Sequence, residues 1–183
     1  KNVGLVVNYG SQINNTHLID TLLALQVNVS IIFSPEHGFS GIFNAGEDVK
    51  DSYYNDSIPI ISLYGEYKKP NVDHLKNIDI VVFDIQDVGV RFYTYLSTLH
   101  YIMESCSEQN IDLVVLDRPN PHAHYVDGPV LELKHSSFVG MHPVPIVYGM
   151  TIGEYALMIN GEGWLKDNLV CDLSVVKNLL YSR

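Results

Sequence analysis

Cysteine is nearly absent: Cys106 and Cys171 are the only two in 183 residues, and their spacing matches no metal-binding pattern. A cysteine-built metal centre is thereby excluded, and both thiols are expected to be buried. Positive charge is also scarce, with 11 Lys and Arg against 21 Asp and Glu, a formal net charge of −10 and a pI near 5.0. Such a chain has no electrostatic grip on phosphate backbones, so nucleic acid is not an expected partner. No apolar run approaches the roughly 20 residues that cross a bilayer, so no membrane span is expected. The first strand-like run begins at Val3, which leaves no room for a signal peptide ahead of it; a cytoplasmic or already processed chain is the expectation. There is no low-complexity tract. The glycine-rich phosphate turns GxGxxG and GxxxxGK[ST] are missing after the first run, where NYGSQINNT stands, and so is the GxSxG elbow of many serine hydrolases. No nucleotide and no other cofactor is implied.

What the chain does have is a series of short apolar runs rich in β-branched residues. VGLVVN from Val3, VSIIFS from Val29, IDIVVFDIQ from Ile78 and IDLVVLDRP from Ile111 read as strands buried on both faces, as parallel sheets demand. IPIISLYG from Ile58 is a weaker fifth, and the closing LVCDLSVVKNLLYSR offers a last strand that takes in Cys171. Helical spacing fills the gaps: THLIDTLLAL with Thr16 as its cap, YTYLSTLHYIMESCSEQN from Tyr93, which holds Cys106, and a segment over 151–160. This alternation predicts one α/β domain over 1–183, Rossmann-like and doubly wound, with a mostly parallel sheet flanked by helices. A proline-rich connection follows Asp117 up to about residue 150; structured loops of that length usually serve a site.

In such a fold ligands bind beyond the carboxyl ends of the strands. The residues there are polar: Asn8 after the first run, Ser34, Glu36 and His37 after the second, Asp84, Gln86, Asp87 and Arg91 after the run from Ile78, and Asp117, Arg118 and Asn120 after that from Ile111. All are expected on one rim. The stretch SPEHGFSGIFNAGE over 34–47 concentrates the chemistry. Glu36 lies among Phe33, Phe39 and Phe43, surroundings that suit a general acid, and Gly38, Gly41 and Gly46 allow the loop its turns. Glu47 or Asp87 is the second carboxylate that paired-acid glycoside hydrolysis uses. Each has a purely structural alternative: Glu36 as an acceptor for its own loop, Glu47 as a first-turn acid of a helix, Asp84 and Asp117 as caps with Arg91 and Arg118 as their partners. His37, His122, His124 and His142 raise the question of a metal, but no pair has ligand spacing and none is assigned. Tyr64, Tyr93, Tyr95 and Tyr148 suit either sugar stacking or packing.

The motifs FSPEHGFSG, NAGE, ISLYGEYKKP, VVFDIQDVGVRFYTYLSTL, VLDRPNP, VDGPVLE and SFVGMHPVPIVYGMTIGEYALMINGEGWL together resemble the exo-β-N-acetylmuramidase family of bacterial glycoside hydrolases, long catalogued as a domain of unknown function. The resemblance implies release of terminal N-acetylmuramic acid from the non-reducing ends of peptidoglycan fragments, and with that substrate a periplasmic or secreted location. It maps the family's proposed catalytic glutamate onto Glu36, with Glu47 as the second candidate. Asn8, His37, Asp84, Gln86, Asp87, Arg91, Tyr93, Asp117, Arg118, Asn120 and His142 are the expected sugar-contacting or supporting positions. Arg91 or Arg118 is the expected fork for the lactyl carboxylate of muramic acid. PHAHYVDGP stands after DRPN where relatives commonly have a glycine-rich turn. The resemblance also implies a C-terminal auxiliary domain that closes the cleft, expected to lie beyond Arg183. A glycan-binding module without catalysis and a metal-dependent hydrolase of another substrate remain the competing readings.

Overall fold

The computed structural model describes residues 1–42, 44, 47, 50–65 and 67–181. Phe43 and Gly46 of the acid-bearing loop lie outside the described residues. Among the described residues nine strands occur in chain order: β1 (Asn2–Val7), β2 (Gln12–Ile13), β3 (Thr16–His17), β4 (Asn28–Ser34), β5 (Ser52–Tyr54), β6 (Ile58–Ser62), β7 (Ile80–Asp84), β8 (Asp112–Leu116) and β9 (Leu173–Val176). Four α-helices join them: α1 (Leu18–Ala24), α2 (Val72–Leu75), α3 (Tyr95–Gln109) and α4 (Ile152–Gly161).

Seven strands form one sheet in the order β5-β6-β4-β1-β7-β8-β9, parallel throughout except for the antiparallel edge pair of β5 and β6. Leaving out β5, the chain builds one half outward from β1 through β4 and β6, then returns to add β7, β8 and β9 on the other side. The direction of winding reverses between β1 and β7, and at that point the loops diverge and leave a crevice.

The five apolar runs and the closing one all become strands because both faces of the sheet are covered. Successive side chains of β1 go to opposite cores: Leu5 and Val7 pack with Leu18 and Ile19 of α1, whereas Val6 joins Phe33, Phe83 and the buried faces of α3 and α4. Gly4 packs among Ile31, Ile78 and Val81, where an added Cβ would make ordinary contacts of 3.4 to 3.5 Å.

Several local expectations change. Thr16 does not cap α1: it pairs with Ile13 in the small β2–β3 hairpin, which turns on Asn14 and Asn15 with φ of 48° and 65°. The cap is His17, whose ring accepts the Ile19 amide. The helix expected from Tyr93 begins at Tyr95. Cys106 is buried within α3 as expected, but Cys171 precedes β9 rather than belonging to it. Its backbone N–H and C=O are taken by the Asn160 side chain, which substitutes for a strand partner. α2 and β5 carry no long apolar run; a capping box at Asn71 and the positive-φ pair Asn55 and Asp56 mark them instead.

The connection over 117–151 is pinned at many points. Arg91 Nη1 donates to the carbonyls of Pro129 and Val144 at 2.5 and 2.6 Å, Asn120 Nδ2 donates to Met150 O at 2.7 Å, and Val147 bridges to Val90 and Asp127. No described helix is long and apolar enough to cross a membrane.

Candidate active site

The crevice at the reversal between β1 and β7 is a cavity of about 370 Å³ lined by Asn8, Tyr9, Gly10, His37, Gly41, Gln86, Val88, Tyr93 and Tyr95. Three loops supply it: the one after β1, the one after β4 that carries Glu36, and the one after β7. A space of this size lies within the range of small-molecule sites.

Each wall is set by local chemistry. Asn8 is buried; its Oδ1 accepts the Gly10 amide at 3.0 Å, its amide donates to Ser11 Oγ at 3.0 Å, and its carbonyl faces His17 Nε2 at 2.9 Å. Ser11 in turn donates to the Asp84 carbonyl, tying the β1 loop to the end of β7. Gln86 Nε2 donates to Asp87 O and Pro119 O, at 2.8 and 2.7 Å, which joins the β7 and β8 loops. In the β4 loop, His37 adopts φ of 70°, a conformation costly for a residue with a Cβ and common where a site dictates the backbone. Gly38 and Gly41 follow with φ of 71° each, and an added Cβ at Gly41 would overlap the Tyr9 ring. The expectation that glycines shape this loop therefore has a physical reason at Gly41: the β4 loop lies directly on Tyr9.

Glu36, next to the cavity-lining His37, is half-buried, and the Thr94 hydroxyl donates to its Oε2 at 2.7 Å. Phe33, expected beside it, is fully buried and packs near the His74 ring, while Phe39 lies between His17 and Tyr54. Glu47 is exposed; Asn44 donates to it from both side chain and backbone and pulls its carboxyl below the usual range. The described residues thus show Glu47 closing a turn with Asn44 rather than facing the cavity.

The other carboxylates are engaged inside the protein. Asp84 is buried and grips Arg118 in a fork, Nε to Oδ1 at 2.5 Å and Nη2 to Oδ2 at 2.8 Å, which raises the arginine's already high pKa. With Arg91 bound to backbone carbonyls, both arginine forks proposed for a lactyl carboxylate hold the protein's own groups, and neither residue lines the cavity. Asp117 caps α4, accepting Thr151 Oγ1 and the Gly153 amide at 2.8 Å each. Asp87 lies buried between the loops: Tyr148 donates to its Oδ2, the Gly89 amide does so at 2.7 Å, and Oδ1 is buried without a hydrogen-bond partner among the described residues. Burial raises its pKa despite those donors. Asn120 Oδ1 accepts the His122 amide, and its side chain lies where a Cβ on Gly89 would fall.

His142 lies apart from this cavity. It is buried in a second cluster, facing His100 Nδ1 at 3.0 Å and the Tyr155 hydroxyl at 3.1 Å and stacked on Trp164 with ring centroids 4.7 Å apart. It lines a separate cavity of about 300 Å³. Burial, and then the neighbouring His100, lower its pKa to about 3. No cluster of three or more metal-binding side chains occurs among the described residues.

Of the expected positions, Asn8, His37, Gln86 and Tyr93 meet in the cavity, and Glu36 precedes His37 without itself being among the lining residues. Tyr9, Gly10, Val88 and Thr94 escaped the sequence reading. Tyr9 and Gly10 directly follow a strand end and were legible in principle; Thr94 reads only as a residue ahead of a helix.

The family model described as exo-beta-N-acetylmuramidase NamZ, N-terminal, matches residues 3–183, nearly the whole chain. The chain belongs to the exo-β-N-acetylmuramidase NamZ N-terminal family. This NamZ N-terminal chain is 45% identical over 184 residues to the peptidoglycan beta-N-acetylmuramidase NamZ of Bacillus subtilis (strain 168), a match that takes in 97% of this chain and 43% of the relative. It superposes on the crystal structure of a DUF1343 family protein from Bacteroides fragilis NCTC 9343 with a TM-score of 0.86 and 44% identity, over 100% of this chain and 48% of that one. A second DUF1343 family protein from the same strain gives 0.85 and 42%, over 97% and 45%. The NamZ N-terminal chain therefore spans less than half the length of each of these relatives.

Proposed function

We propose that this chain is the acid-bearing half of an exo-acting glycoside hydrolase that releases terminal β-N-acetylmuramic acid from the non-reducing ends of peptidoglycan fragments, with Glu36 as the general acid. The observation that carries this is Glu36 itself: a half-buried carboxyl group that precedes the cavity-lining His37 and is held by Thr94, whose neighbours Tyr93 and Tyr95 also line the cavity. Family membership and the printed name of the Bacillus subtilis relative support the reaction class.

In this reading Glu36 delivers a proton to the glycosidic oxygen as the bond to the sugar breaks. Asn8 and Gln86 present amide groups to the ring substituents. Tyr93 and Tyr9 offer aromatic faces, and Tyr95, whose hydroxyl burial raises to about 12, stays a neutral donor at any physiological pH. Asp84, Arg118, Asp87 and Asn120 act behind the cavity, holding the three loops in register. Lactyl-carboxylate recognition falls to a donor not already engaged by the protein. The length that the relatives carry beyond this match supplies the opposing wall, and the substrate places the enzyme in the periplasm or outside the cell.

The test is chromophore release from para-nitrophenyl β-N-acetylmuramic acid by this chain alone, by this chain fused to the remainder of the Bacillus subtilis relative, and by the fusion with Glu36→Gln. Release by the fusion that falls at least about 100-fold with Glu36→Gln supports the reading. Saturable binding without release would favour a glycan-binding module, and activity lost to a chelator and restored by zinc or manganese would favour a metal-dependent hydrolase.

A further inference from the structure

Thr94 occupies the N-cap of α3, where a threonine hydroxyl ordinarily accepts an amide of its own helix. Here it makes no such bond. Its hydroxyl instead donates across 58 residues of sequence to Glu36 Oε2 at 2.7 Å. Thr94 is buried, with 3% of its surface exposed, and its branched Cβ limits the rotamers its hydroxyl can take. Its backbone carbonyl is held too, accepting the Thr98 amide at 2.9 Å and the Thr98 hydroxyl at 3.2 Å. Glu36 differs: it sits half-buried on a loop, and its side chain has several rotatable bonds to lose. The start of a helix is thus connected to an acid on a loop.

Resting on the reading of Glu36 as the acid, we infer that Thr94 is the positioning residue that holds its carboxyl in place beside the cavity-lining residues His37, Tyr93 and Tyr95.

The experiment uses the active fusion and compares Thr94→Val, Thr94→Ala, Thr94→Ser and Glu36→Gln, with thermal unfolding as the check on folding. Valine keeps the volume and removes the donor; alanine removes it without any steric demand, so at least one reports on a folded protein. The expected result is a fall in kcat of about 10- to 100-fold with KM changed less than about threefold, and recovery of kcat in Thr94→Ser. Valine and alanine variants with wild-type kcat, alongside an inactive Glu36→Gln, overturn the role of Thr94 and leave the acid in place. An active Glu36→Gln overturns both.

Discussion

The buried pair His100 and His142 makes a stability prediction whose size follows from the structure. His142 is held neutral: burial first, and then the proximity of His100, bring its pKa from 6.5 to about 3. The unfolded chain binds that proton at its ordinary pKa, whereas the folded chain does not. The contribution is therefore fully present above about pH 6.5 and is lost as pH falls toward 3. Between pH 7 and pH 5 the unfolded histidine gains about 1.5 pH units of proton binding, worth about 2 kcal/mol. The window also separates His142 from Glu104. Burial pushes the Glu104 carboxyl up, but bonds from His100, Lys69 and the Lys166 amide outweigh it and bring it to about 2, so its own loss begins only below about pH 4.5. The comparison is wild type against His142→Phe, which retains a ring against Trp164. Urea unfolding followed by fluorescence of Trp164, the single tryptophan, gives the stability at each pH. The variant carries a constant offset from the unpaired Tyr155 hydroxyl and His100 nitrogen, but its stability falls between pH 7 and pH 5 by about 2 kcal/mol less than that of wild type. Equal falls in the two proteins would refute the claim that His142 is folded in its neutral form.

Two further outcomes test the scaffold behind the cavity. Arg118→Ala leaves Asp84 buried without its fork and is expected to cost about 3 kcal/mol in urea unfolding, while Arg118→Lys recovers only part of it; a cost below about 1 kcal/mol for the alanine would show that the pair is dispensable. Burial raises both thiols, Cys171 to about 12 and Cys106 further, so neither reacts with a disulfide reagent in the folded protein while both react in denaturant; rapid modification of the native chain would contradict their placement.

Much of the fold was legible because the residues that build it repeat. Six apolar runs became the six parallel strands, since a strand covered on both faces has no polar side to show. β5 and α2 were not legible by that signal: edge position and a four-residue length leave them little to bury. For the site, strand-end polarity correctly brought Asn8, His37 and Gln86 to the cavity. The same rule does not tell which strand-end groups turn inward: Asp117, at the end of β8, caps α4.

The sequence by itself determined the doubly wound sheet and the end of it at which the strand-end polar residues gather, because periodicity and chain order are local properties that survive in a linear string. Only the tertiary structure decided which polar groups face the crevice and which face each other. Arg118 and Asp84 are 34 residues apart, Thr94 and Glu36 are 58 apart, and nothing in either neighbourhood records the partner. A buried charge or hydroxyl takes whatever donor or acceptor the packing brings within about 3 Å, and that distance is set by the whole sheet.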